Sequence, residues 1–186
     1  MKVPEIETAR LRLRRFTPDD LDAFAQIIAD PDVMKYIGAG ETFSVEGAKP
    51  HLKNFIEKYW ESHSFGRWAL IYKDSGTLIG HCGLRMLEGT PELVYLLAKL
   101  YWRTGLATEA ARACLRYAFE ELGLETIVAV TKPENSASRR VLEKIGMKYE
   151  RDARYHEIDC VYYSVTRESY QPNDSYYLLK YNHDLS

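Results

Sequence analysis

Cysteine is scarce. Cys82, Cys114 and Cys160 are the only three in 186 residues, odd in number and widely spaced, with no Cys-x-x-Cys pair. That argues against a disulfide framework or a thiolate zinc site and for buried thiols in a reducing compartment. Basic excess is missing too: the formal net charge is -2, which argues against a general nucleic-acid binder, whose surface must neutralise phosphates. No stretch approaches the length of a membrane span, and Met1 to Thr8 contain no apolar core of a signal peptide, so a cytoplasmic protein with no membrane partner is expected. His51, His63, His81, His156 and His183 include no pair at metal-ligand spacing. They read as surface or satisfied core histidines, and no metal is expected. Repeats, low-complexity runs and linkers are absent.

What is present is ordinary for a folded domain: 46% hydrophobic and 28% charged residues, in a chain long enough for one sizeable core. The most regular stretch follows Tyr101-Trp-Arg-Thr-Gly105. Apolar residues recur at Ala107, Ala110, Ala111, Cys114, Leu115, Ala118, Phe119 and Leu122, the spacing of an amphipathic helix. Glu109, Arg112, Arg116 and Glu120 fall on the other face, and Gly123 stands where a helix stops. The apolar run from Leu93 to Ala98 reads as a buried strand running into this helix. The N–H groups at such a helix start have no partner within the helix and suit a phosphate or pyrophosphate.

In chain order, Leu11 to Phe16 alternates like a strand. Thr17-Pro-Asp-Asp20 is a helix start with a capping box, and Leu21, Phe24, Ala25 and Ile28 form the buried stripe before Asp30-Pro31-Asp32 ends the helix. Val33 to Thr42 reads as a loop with one helical turn. Ser44 caps a second helix with Leu52, Phe55, Ile56, Tyr59 and Trp60 on one face; Pro50 means either that its regular part begins near Lys49 or that its first turns are kinked. Trp68–Tyr72 and Thr77–Leu84 are strands, with Gly80 and Gly83 marking a bulge or a close backbone approach. Glu88 to Pro91 is a turn. Glu125–Thr131 is a strand, Ser136 begins a short helix closed by Gly146, and a hairpin spans Glu150–Tyr155 and Cys160–Thr166. The tail from Gln171 carries Tyr176-Tyr-Leu-Leu179, too apolar to remain undocked. These elements predict one α+β domain with a mostly antiparallel sheet.

The succession Gly83-Leu84, Glu92-Leu-Val-Tyr95, Tyr101-Trp102, Gly105-x-Ala107-Thr-Glu-Ala110, Asn135-x-x-Ser138 and Val141-Leu-Glu-Lys-Ile-Gly146 resembles the GNAT superfamily of acyl-CoA N-acyltransferases. Within it, Thr8-Ala-Arg-Leu-Arg-Leu13 and Val165-Thr-Arg-Glu-Ser-Tyr170 are similar to the opening and closing segments of the ribosomal-protein N-terminal acetyltransferases (RimJ/RimL-like). The resemblance implies a GNAT domain over residues 8–171, with residues 172–186 as a docked tail. It further implies a mixed, mostly antiparallel sheet splayed at an acyl-CoA site and flanked by helices.

The resemblance also implies roles. The family's pyrophosphate loop is written Arg/Gln-x-x-Gly-x-Gly/Ala. Here Trp102 takes the first position, Gly105 and Ala107 the others, and residues Trp102, Arg103, Thr104, Gly105, Leu106, Ala107 and Thr108 would hold the diphosphate of acetyl-CoA. Backbone of Leu96, Leu97 and Ala98 would pair with pantetheine as an added strand. Asn135 and Ser138 would lie beside the sulfur; Leu142 stands where many family members carry an acidic tyrosine, leaving Ser138 as candidate acid. Its alternative is local backbone bonding in a helix's first turn. Glu92 is the candidate general base, directly or through water, against a surface carboxylate after Pro91. Tyr95 lines the same cleft or the core. The implied activity is direct acetyl transfer to a primary amine, such as a protein N-terminal α-amine. A small polyamine, amino acid or aminoglycoside is the alternative acceptor, and a non-catalytic acyl-CoA-binding module the alternative class. A monomer or homodimer is expected.

Overall fold

A computed structural model describes residues 4–58 and 60–181. Its centre is one nine-stranded sheet of β1 (Glu5–Glu7), β2 (Leu11–Arg14), β3 (Arg67–Tyr72), β4 (Thr77–Leu87), β5 (Thr90–Leu97), β6 (Thr126–Thr131), β7 (Lys148–Tyr155), β8 (Ile158–Thr166) and β9 (Leu178–Lys180), in the order β7-β8-β6-β5-β4-β3-β2-β1-β9. Every neighbouring pair is antiparallel except β5 with β6. The helices are α1 (Leu21–Ile28), α2 (Pro31–Met34), α3 (Val45–Glu57), α4 (Trp60–His63), α5 (Leu106–Arg116) and α6 (Ser136–Lys144).

Local chemistry explains most boundaries. Thr17 N–H donates to Asp20 Oδ2 at 2.8 Å, one arm of the expected capping box. Ser44 accepts from Gly47 N–H at the start of α3, which then runs through Pro50. That helix ends at Glu57, earlier than the expected stripe. Trp60 begins the separate α4 and packs edge-on against Trp68 at 4.8 Å, while Tyr59 lies outside the described residues. The turn before β5 is also tighter than expected. It consists of Glu88 and Gly89, both with positive φ, between the paired Leu87 and Thr90, the two-residue hairpin geometry whose twist matches the strands. The long helix changes pitch, with Tyr117–Glu121 π-helical before Gly123. Strands β1 and β9 were not expected from the sequence. The described part of the tail joins the sheet edge, with Ile6 opposite Leu179.

Alternation along the strands gives the sheet two differently covered faces. Trp68, Leu70, Ile79, Cys82, Leu84, Leu93 and Leu97 share a core with α5 and with Leu142 of α6. Ala69, Ile71, Leu78 and Leu96 share a second core with Phe24 of α1 and Leu52 of α3. Burying one such leucine or phenylalanine is worth about 1.5–3 kcal/mol, so both cores pin the register of β3 to β5. Gly80 is required where β4, bulged against β3, runs close to β5: a Cβ there would lie 2.0 Å from the Leu96 carbonyl oxygen. Any side chain would push apart the two strands that carry the site.

Candidate active site

The register holds a single partner pair between β5 and β6, Glu92 with Val128. Antiparallel pairing turns the N–H and C=O of alternate residues to opposite sides of a strand. Ala98 N–H donates to Ile79 O of β4 at 2.7 Å, so the backbone of Leu96 and Ala98 faces β4, and that of Tyr95 and Leu97 faces the opening toward β6. The expectation for Leu96, Leu97 and Ala98 is corrected to this extent. Ala98 O is also engaged, by Tyr101 N–H at 3.0 Å. Leu97 O accepts from the Trp102 indole Nε1–H at 2.8 Å. Trp102 thus secures the end of β5 with its side chain, a role the loop pattern did not indicate.

After β5 the chain turns through Arg103 and Gly105, both left-handed (φ 62 and 84), and Gly105 is the N-cap of α5. A left-handed arginine is uncommon and strained. Here Thr104 Oγ1 donates to Tyr101 O at 2.7 Å within the turn. The N–H groups of Leu106, Ala107 and Thr108 form the first turn of α5, where helices attract anions. Glu109 is not on a solvated face as the helical spacing implied. Its side chain is only 13% exposed. It accepts from Thr8 Oγ1 at 2.6 Å, from Arg10 N–H at 2.8 Å and from Arg10 Nε at 2.8 Å. Arg10 Nη1 also donates to Thr104 O at 2.8 Å. A carboxylate at the start of α5 would repel a diphosphate; Arg10 neutralises it and fastens the turn from behind. The opening segment Thr8-Ala-Arg10 was legible as a resemblance, but this partner, about a hundred positions away, was not.

At the other side of the opening, α6 follows β6. Asn135 is its N-cap, its side chain accepting from Ser138 N–H at 3.1 Å. The Ser138 hydroxyl does not turn back on its own helix. It lies 2.9 Å from the Tyr95 hydroxyl, which also donates to Ser138 O at 3.2 Å. Burial pushes the Tyr95 phenol well above its ordinary range, partly offset by the Ser138 bond, so the pair holds its protons at neutral pH. Leu142, at the position of the missing tyrosine, is core.

Glu92, Val94 and Leu96 alternate with that row and look toward α1 and α3. Glu92 is 1% exposed rather than a surface carboxylate. It sits opposite Arg85 of β4 and takes both Arg85 Nε and, at 3.2 Å, Arg85 Nη2. Nearby, the Arg67 guanidinium lies 4.4 Å over the Phe55 ring, and Phe55 meets the His81 ring edge-on at 5.1 Å. Burial, then Arg67 and Arg85, push the His81 imidazole well below its ordinary value. The described residues include no group of three His, Cys, Asp or Glu placed to hold a metal ion, and no helix long and apolar enough to cross a membrane.

An opening between parallel strands, a helix start at each mouth and a hydroxyl pair across it suit transfer of an acyl group carried on a phosphorylated arm. The comparisons give the class its name: residues 10–148 match the family model described as acetyltransferase (GNAT) domain, and the chain belongs to this family of acyltransferases. Members use acetyl-CoA as cosubstrate. The chain is 37% identical over 147 residues to the uncharacterized N-acetyltransferase YnaD of Bacillus subtilis, covering 78% of this chain and 83% of that one. It is 29% identical to the FsC-acetyl coenzyme A-N(2)-transacetylase of Aspergillus fumigatus, covering 90% and 78%. Among solved structures, a GNAT acetyltransferase from Bacillus anthracis aligns with a TM-score of 0.78 at 31% identity, covering 88% and 99%. The ribosomal-protein-S5-alanine acetyltransferase from Vibrio fischeri shares the fold, with a TM-score of 0.71 at 19% identity, covering 90% and 99%.

Proposed function

We propose that the chain transfers the acetyl group of acetyl-CoA directly to a primary amine within a ternary complex. The observation that carries this reading is the opening beyond Glu92 and Val128, into which the backbone of Tyr95 and Leu97 faces. Pantetheine would pair there as an added strand, with its diphosphate on the N–H groups of residues 103 to 108. The amine nitrogen bonds to the acetyl carbonyl carbon as the carbon–sulfur bond breaks. The amine gives up a proton and the sulfur gains one.

Ser138, backed by the Tyr95 phenol, is the proposed donor to the sulfur. Glu92 is the proposed acceptor of the amine proton, through water. Both its oxygens are engaged by Arg85; the Glu92 side chain is 2% exposed against 39% for Arg85, so the relaying water would have to reach the carboxylate past Arg85. Asn135 acts by holding the first turn of α6. The free, buried Cys82, Cys114 and Cys160 fit a reducing compartment such as the cytoplasm.

A protein N-terminal α-amine is the leading acceptor, supported by the resemblance to ribosomal-protein acetyltransferases. A small-molecule amine is the second reading, favoured by the relative named for an N(2) acetyl transfer to FsC. Thiol release from acetyl-CoA over a panel of peptides and small amines tests the proposal. Amine-dependent release is expected; tight acetyl-CoA binding with no release for any amine would instead support a binding module.

A further inference from the structure

The face of the sheet turned toward α3 carries chemistry that acetyl transfer itself does not use. Arg67 stands opposite Gly83 in the register of β3 and β4, and His81 and Arg85 flank Gly83 on β4. Arg67 presents one face of its guanidinium to Phe55. The donors of a guanidinium lie in its plane, the geometry that matches a carboxylate. His81 is 6% exposed, and its Nδ1 has no hydrogen-bond partner among the described residues. A buried polar atom without a partner is destabilising, a cost that a bound polar group would relieve. His51 of α3 is also near enough to Arg67 to be pushed below its ordinary value, by burial first and then by that charge. Among the described residues, the charged and titratable groups at this spot include Arg67, Arg85, His51, His81 and Glu92, and Glu92 is held by Arg85.

We infer that the acceptor carries a carboxylate as well as its amine, and that Arg67 and His81 bind that carboxylate while the amine approaches the opening near Glu92. Two guanidinium groups against one carboxylate disfavour a polyamine, whose extra ammonium groups would be repelled. His81 stays uncharged, and an uncharged imidazole beside a guanidinium still donates one N–H to an anion's oxygen. The carboxylate has two sources: the free acid group of an amino acid, or the side chain of an acidic residue beginning a peptide. This inference rests on the acetyl-transfer reading for its amine, but its binding step is measurable without turnover.

The test is calorimetric titration of the CoA-loaded protein with matched amines. The pairs are lysine and cadaverine, ornithine and putrescine, and tripeptides beginning with Glu and with Gln. The acid-bearing member of at least one pair should bind at least tenfold more tightly, and the pair that responds identifies the source. Arg67→Gln should abolish that preference while changing the CoA Kd less than twofold. Should Arg67→Gln not fold, Arg67→Lys and His81→Gln replace it, and each should lower the preference at least threefold. Equal binding within every pair, or a preference untouched by these variants, would overturn the inference. Thiol release, assayed separately, separates the two readings. Release without preference for an acid overturns the carboxylate site and leaves acetyl transfer standing. Acid-selective binding without release does the reverse.

Discussion

Along β5, Leu93, Tyr95 and Leu97 look toward α5 and α6, whereas Glu92, Val94 and Leu96 look toward α1 and α3. The two rows differ in kind. The first meets backbone and hydroxyl groups: the turned loop of Arg103 and Gly105, the start of α5, and the Ser138 hydroxyl against Tyr95. The second meets charged side chains: Arg85 on Glu92, and Arg67 near His81. A cofactor of fixed shape is served by backbone geometry, which any substitution of a turn glycine disturbs. The proposed acceptor would be served by side chains, which can be exchanged without altering the fold. Loops and side chains on a rigid scaffold are where specificity varies.

Gly105→Asp should break the first side most severely. It places an L-residue and a negative charge at a left-handed N-cap, where the diphosphate is proposed to bind. CoA raises the melting temperature of a protein it binds only when folded, and this rise should vanish in the variant, reflecting an affinity loss of about 100-fold or more. A folded Gly105→Asp protein with unchanged CoA affinity would remove the loop from the cofactor site. Glu92→Gln probes the second side. It should lower kcat roughly 100-fold with little change in acetyl-CoA KM, the deficit shrinking as pH rises and more amine is already deprotonated. Near-normal turnover at neutral pH would assign the proton to bulk water.

Smaller effects sharpen the comparison. Ser138→Ala and Tyr95→Phe should each lower kcat about tenfold with acetyl-CoA binding intact, because a thiolate is a tolerable leaving group near neutral pH. If the hydroxyls act as one unit, the double variant falls no further than the worse single one; multiplied losses would mean two separate roles. Arg10→Gln should weaken CoA about fivefold, since it loosens Glu109 and the Thr104 carbonyl behind the loop. Acceptor KM should stay unchanged; a larger effect on the acceptor than on CoA would contradict the assignment of Arg10 to the cofactor side.

The signals behind the proposed cofactor side are local, which is why they are legible in the sequence. A glycine at a helix start, the Asn135 cap and the 3.6-residue spacing of α5 each lie within a few positions. The same locality explains what was misread. Helical spacing puts Glu109 opposite the core stripe, but the turn between β1 and β2 brings Thr8 and Arg10 to it. The α3-facing side was mostly opaque. His81 read only as a surface or satisfied core histidine, and nothing local singles out Arg67 or Arg85 until β3, β4 and β5 are aligned in register. The strands β1 and β9, at one end of the sheet, are three residues each, too short to show alternation.

Amide hydrogen exchange on adding acetyl-CoA is the most direct test of the opening at β5. The N–H groups of Tyr95 and Leu97 face it, while that of Ala98 already donates to Ile79. Binding should therefore slow exchange at Tyr95, Leu97 and the amides of residues 103 to 108, and leave Ala98 unchanged. Acetyl-CoA that binds and raises the melting temperature, yet leaves Tyr95 and Leu97 exchanging at their ligand-free rates, would contradict the account.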